Sequence, residues 1–179
     1  MAAMVASSKR CSTGRTSGYA DVKPLTDCLL ARLDAELDER LVAVALYGSV
    51  ARGEARAESD IDLFLVYRGD GESIADTFVE VELELRATSL TAELKARGVP
   101  TNPMPVFRTE AALVDTPWLL LDISHHGIIL FDPRQVLHAK LAALRRRLAE
   151  LGSRRIELAD GSWYWDLKPN LRPGEMIEL

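Results

Sequence analysis

Leu46–Val66, LYGSVARGEARAESDIDLFLV, holds two apolar runs joined by a polar, glycine-containing turn. Its left end closes an apolar run, LVAVALY from Leu41 to Tyr47, which suits a short strand buried on both faces. Gly48 stops the run and turns the chain. Its right end opens DIDLFLVY, Asp60 to Tyr67, a second strand that begins with acids. Asp60 and Asp62 are two residues apart, so their side chains leave the same face of that strand, roughly 6–7 Å from one another.

Two bare carboxylates at that spacing repel, and one tends to keep a proton, whereas a divalent cation between them stabilises both anions. An all-oxygen site that leaves positions for water and phosphate oxygens suits Mg²⁺, with Mn²⁺ as the alternative, and the few Cys and His residues do not suggest zinc. Gly48 and Ser49 stand at the end of the preceding strand. There a glycine admits a phosphate close to the backbone, and a serine adds a hydroxyl donor to the nearby N–H groups. A helix over Val50–Arg56 would aim its positive end at the same place. A triphosphate would then lie between the loop and the metal.

In order along the stretch stand Gly48-Ser49, then Ala51-Arg52-Gly53-Glu54-Ala55, then Ser59-Asp60-Ile61-Asp62-Leu63. This succession resembles the signature of the DNA polymerase β-like nucleotidyltransferase superfamily, in particular its minimal nucleotidyltransferases. The resemblance implies an α/β (α+β) nucleotidyltransferase core with a small mixed sheet and flanking helices. It also implies nucleotide binding by Gly48, Ser49 and Arg52, and makes Asp60 and Asp62 both catalytic and metal-binding. Leu119–Asp132, a helix leading into GIILFD, is similar to the later helix and strand of such domains.

Working outward, Leu25, Leu29, Leu33 and Leu37 recur every four residues, widened by Cys28 and Leu41, which predicts a helix opening at Pro24. After the turn Arg68–Gly71, the spacing of Ile74, Phe78, Val81 and Leu85 predicts a helix, although VELEL alone also reads as an alternating strand. A second helical piece runs from Leu90 to Arg97 and stops at Gly98 and Pro100. PMPVFRT, Pro103 to Thr109, is a third strand whose prolines mark an edge. Thr116 before Pro117 signals a cap for a helix through His125, closed by Gly127, and Ile128–Phe131 is strand four. Val136, Leu137, Leu141, Leu144 and Leu148 place a helix over Pro133–Leu151. RIELADGSWYWDL then carries Asp160-Gly161 between two alternating runs, the signature of a C-terminal β-hairpin.

The expected division is a disordered tail over 1–20, a nucleotidyltransferase domain over 21–152, and a hairpin and tail over 153–179 packed on it. A chain of 179 residues fits one core. A net charge of −5 disfavours a long nucleic-acid substrate held by a general basic field. Cys11 and Cys28 lie far apart without ligand spacing, and no apolar segment approaches the roughly 20 residues of a membrane span, so a cytoplasmic setting is expected. The run Arg145-Arg146-Arg147 reads as a solvated helix face, and His125 and His126 as residues suited to a helix end. Of Trp163, Tyr164 and Trp165, alternate rings should pack on the core, and stacking of a purine on one of them is the weaker reading. Lys168 and Arg172 read as solvated tail charges.

One departure bears on activity. Active members of the superfamily usually carry a third carboxylate on the next strand, able to act as general base. Here TNPMPVFRTE holds no acid before Glu110, which belongs past the strand in a helical first turn, while Asn102 stands nearer the required level. Glu80, Glu82 and Glu84 are expected to face solvent. The expectation is a cleft with the aspartate pair alone, Asn102 or an apolar residue in the third place, and Glu110 as the nearest alternative. Two functions follow from the resemblance. One is metal-dependent transfer of an NMP group from an NTP to a small-molecule, protein or RNA hydroxyl. The other is an antitoxin-like regulatory protein with a degenerate nucleotide site, paired with a HEPN-type helical partner.

Overall fold

β1, Leu41–Leu46, is buried at every residue, as an unbroken apolar run requires when both faces of a strand are covered. The computed structural model describes residues 16–115, 118–159, 163–172, 174–177 and 179. β2 (Asp60–Tyr67), β3 (Asn102–Thr109) and β4 (Ile128–Phe131) join β1 in a sheet ordered β3-β2-β1-β4. β1 is antiparallel to β2 and to β4, and β2 is parallel to β3, so the sheet is mixed. Pro103 and Pro105 are tolerated because β3 is an edge strand, where alternate N–H groups have no partner to lose.

Alternation along the central strands builds two cores. Ile61, Leu63 and Leu65 of β2 pack with Leu25, Leu29 and Leu33 of α1 (Tyr19–Leu37), Ile74, Phe78 and Val81 of α3 (Gly71–Arg86), and Leu94 of α4 (Ser89–Ala96). Phe64 and Val66 point the other way, toward Leu120 and Ile123 of α5 (Leu119–His126) and Leu137 and Leu141 of α6 (Val136–Leu151). Asp60 and Asp62 share the alternation of Phe64 and Val66, so they face the side that α5 covers. The ambiguous VELEL is helical. The Asp70 carboxylate caps α3 by accepting from the N–H groups of Glu72 and Ser73, which starts the helix directly after the turn.

β5 (Arg154–Glu157) and β6 (Trp163–Asp166) form the C-terminal antiparallel hairpin, with Trp165 and Leu167 packed against the second core. Its Asp160-Gly161 turn lies outside the described residues, as do the Thr116-Pro117 cap signal and residues 1–15 of the expected tail.

Several boundaries differ from expectation. α1 begins at Tyr19, ahead of Pro24, because the Gly18 N–H donates to the Asp21 carboxylate at 3.0 Å and fixes the first turn. Upstream, Ser17 is 2% exposed and exchanges backbone hydrogen bonds with Ala55 at 2.8 and 3.2 Å, so the last residues of the expected tail are tied to the body. α6 begins at Val136 rather than Pro133, because Asp132 accepts from the N–H groups of Val136 and His138, both at 2.8 Å. Among the described residues no helix is long and apolar enough to cross a membrane.

Candidate functional site

Between β1 and β2 the chain makes a short helix, α2, over Gly48–Arg52, where the sequence suggested Val50–Arg56. Gly53 in the left-handed conformation stops it after five residues, so it is too short to supply a sizeable dipole. What α2 does provide is placement. The Tyr47 N–H donates to the Asp62 carbonyl at 3.0 Å, which pins the end of β1 against the start of β2. Gly48 then turns at φ +70°, a region that favours glycine.

The turn brings Gly48 against the Asp62 carboxylate. A Cβ added at Gly48 would stand 2.9 Å from the Asp62 Cγ and nearer still to Oδ2. The glycine is thus needed for the close seat of Asp62 as well as for its φ. Ser49, beside it, is half-buried, and its hydroxyl makes no hydrogen bond among the described residues.

The two aspartates differ in setting. Asp60 is exposed and Asp62 half-buried. The Asp62 carboxyl is raised above the ordinary carboxylate range by burial first and by the Asp60 charge second, while Arg52 opposes and Asp122 adds to the rise. Arg52, about one-quarter exposed, donates from Nε to Glu54 at 2.9 Å. A divalent cation beside Asp60 and Asp62 would relieve both main causes of that rise, and the donor set is all oxygen, so the pair fits Mg²⁺ or Mn²⁺ with the other positions left to water and substrate. Among the described residues no cluster of three or more His, Cys, Asp or Glu side chains is arranged to hold a metal ion.

Register sets which residues of β3 stand beside the pair. β3 sets Asn102 opposite Asp60 and Met104 opposite Asp62. The Asn102 Nδ2 donates to Asp60 Oδ1 at 2.6 Å, and its Oδ1 accepts from Arg86 at 3.2 Å. Arg86 in turn pairs with Glu82, whose side chain is only 11% exposed, so Glu82 does not simply face solvent as expected. The result is a relay, Glu82 to Arg86 to Asn102 to Asp60, that fixes one oxygen of Asp60. Glu110 stands past the opposite end of β3, about 25 Å away by strand rise, where it pairs with Arg68. It has no place in this cleft.

Asp122 is the acid that sequence reasoning missed. It lies on α5, and its charge raises the pKa values of both Asp62 and Tyr47. Its Oδ1 is buried without a hydrogen-bond partner among the described residues. The signal was a lone acid inside the apolar run LLLDIS, but an acid in a helical first turn also has an ordinary explanation in the helix dipole. Farther along the chain, Tyr164 is exposed, Trp165 packs edge-on to His125, and Lys168 pairs with Glu175 at 2.6 Å.

The family model described as a nucleotidyltransferase domain matches residues 30–119, half of the chain, and the match contains α2, the aspartate pair and β3. Among solved structures, a toxin–antitoxin crystal structure with AMP-PNP is 18% identical over 69% of this chain and 90% of that one, with a TM-score of 0.41. The toxin–antitoxin MntA-HepT is 16% identical over 72% and 92%, with a TM-score of 0.38. A tri-AMPylated Shewanella oneidensis HEPN toxin in complex with MNT antitoxin is 14% identical over 73% and 92%, with a TM-score of 0.37. No curated protein matches the chain.

Proposed function

Because this chain belongs to the nucleotidyltransferase domain family, we propose that it moves a nucleoside monophosphate from an NTP to an acceptor hydroxyl and releases pyrophosphate. The observation that carries this reading is the seat of the Asp62 carboxylate against Gly48, with Asp60 on the same strand face. The close approach of Gly48 to the acids supports reading the turn and the pair as one site.

In this reading Asp60 and Asp62 hold Mg²⁺ or Mn²⁺, which when bound neutralises charge on the triphosphate. Gly48 leaves room at the end of β1, the Ser49 hydroxyl donates to a phosphate oxygen, and Arg52 balances phosphate charge from the end of α2. The acceptor oxygen bonds to the α-phosphorus as the bond to the β-phosphate oxygen breaks. Asn102 cannot take the acceptor's proton, so that proton goes to a carboxylate of the pair or to solvent, and transfer is slow. The acceptor is a small molecule, a protein side chain or an RNA end.

Incubation with α-labelled NTPs, Mg²⁺ or Mn²⁺ and candidate acceptors tests the proposal, with Asp62→Asn as control. Label transfer that depends on Asp62 supports it. Transfer that is equal in parent and Asp62→Asn overturns the assignment of the pair.

The amide at Asn102 favours a second reading, in which the site binds nucleotide without turnover and the protein acts antitoxin-like beside a HEPN-type helical partner. Nucleotide binding without label transfer, together with a stable complex on co-expression with a HEPN-domain protein, separates it from the first.

A further inference from the structure

The hairpin, which lies outside the stretch matched by the family, lines a cavity beside α2. Antiparallel register sets Arg155 across from Trp165 and Glu157 across from Trp163. Period-two alternation then turns all four side chains to one face, the face that meets the C-terminal end of α5. Between this face and the C-terminal end of α2 lies a polar cavity of about 420 Å³, lined by Arg52, His126, Arg155 and Trp163 with Glu54 and Glu157.

Charge within the cavity is sorted by depth. The Arg52 and Arg155 side chains are 24% and 15% exposed, whereas their carboxylate partners Glu54 and Glu157 are 65% and 70% exposed. The cations therefore sit deep, and the acids lie at the rim on long side chains that can swing into water. Arg155 is further fixed by its guanidinium stacking over the Trp163 ring, 4.6 Å from the centroid. Its Nη1 donates to Glu157 at 2.5 Å, and its Nε is buried with no hydrogen-bond partner among the described residues. The Nη edge of this planar guanidinium, which the exposed Glu157 holds, has the geometry that matches a phosphate. Arg52 connects this cavity to the aspartate pair, since it stands about 6 Å along α2 from Gly48.

We propose that this cavity is the subsite for the β- and γ-phosphates of the nucleotide, with Arg155 and His126 added to Arg52 as its phosphate-binding side chains. The inference rests on the nucleotidyltransferase reading for the placement of the α-phosphorus beside Asp62. The hairpin is then part of the substrate site, because it carries the deepest cation. Glu157 holds Arg155 in the absence of nucleotide and competes with phosphate for it.

Calorimetric titration of the full chain with inorganic pyrophosphate, and separately with AMP, in EDTA, tests this without relying on turnover. Arg155→Gln should weaken pyrophosphate binding about tenfold or more, as expected for a lost hydrogen bond to a charged group, and leave AMP binding unchanged. Glu157→Gln should tighten pyrophosphate binding, a gain that a merely structural role would not produce. ATP should displace the bound pyrophosphate. Binding of pyrophosphate by folded Arg155→Gln within twofold of the parent would overturn the subsite, as would a loss confined to AMP, or pyrophosphate binding that ATP does not displace. If Arg155→Gln fails to fold, His126→Ala and Glu157→Gln decide the matter, and unchanged pyrophosphate affinity in both overturns it. Arg155-dependent pyrophosphate binding without any label transfer would remove the transferase reading and support the subsite.

Discussion

Replacing Gly48 by alanine tests the central geometry through stability and binding together. The new Cβ meets two penalties. At φ +70° a residue with a Cβ pays about 1–2 kcal/mol for the left-handed conformation. The same Cβ stands 2.9 Å from the Asp62 Cγ, so the carboxylate must leave its position, at about 0.5–1.5 kcal/mol if it moves off its rotamer. Together these come to about 1.5–3.5 kcal/mol, which for a chain of this length lowers Tm by roughly 3–14 °C. The second penalty also displaces the acid from the site, so metal-dependent NTP binding should fall more than tenfold. Thermal melts and calorimetry with Mg-ATP measure the two effects. A double-mutant cycle with Asp62→Ala separates them, because removing the carboxylate should return most of the contact cost, leaving the φ part and the 3.2 Å approach to the Cβ of residue 62. A Gly48→Ala protein that melts within a degree of the parent and binds Mg-ATP equally would refute the reasoning.

Four further variants probe neighbouring residues. Ser49→Ala should leave Tm unchanged and cost triphosphate affinity about 1.5–3 kcal/mol, read by calorimetry. Asp62→Asn removes a half-buried charge that burial and Asp60 both disfavour, so the metal-free protein should melt no lower than the parent while Mg-dependent nucleotide binding is lost. Asn102→Asp replaces the amide that donates to Asp60 at 2.6 Å with a third acid. It should lower Tm without metal, increase the stabilisation gained on adding Mg²⁺ and speed label transfer; unchanged metal response would deny that position 102 borders the metal. Glu110→Gln should leave transfer unchanged, since Glu110 stands beyond the far end of β3. The Glu110 carboxyl is held below its ordinary pKa by Arg68, so its stabilisation is present above that ordinary value and is lost as pH falls through the lowered one. Melts of parent and Glu110→Gln should therefore differ slightly at neutral pH and converge in acid.

The amino-acid sequence by itself determined the strands around Gly48 and Asp60, the two-faced burial of β1, the shared face of the aspartates and the helical reading of Ile74 to Leu85. These follow from local periodicity and turn chemistry, which a chain carries wherever it is packed. That β3 brings no acid opposite the aspartates was also legible, because TNPMPVFRT contains none. Only the tertiary arrangement supplied the register that hydrogen-bonds Asn102 to Asp60, the reach of Arg86 from α3 to Asn102, the arrival of Asp122 from α5, and the placing of Arg155 and Arg52 around one cavity. Each joins residues from separate elements. Their proximity depends on how helices and hairpin stack on the sheet, and neither spacing nor propensity along a single segment encodes that stacking.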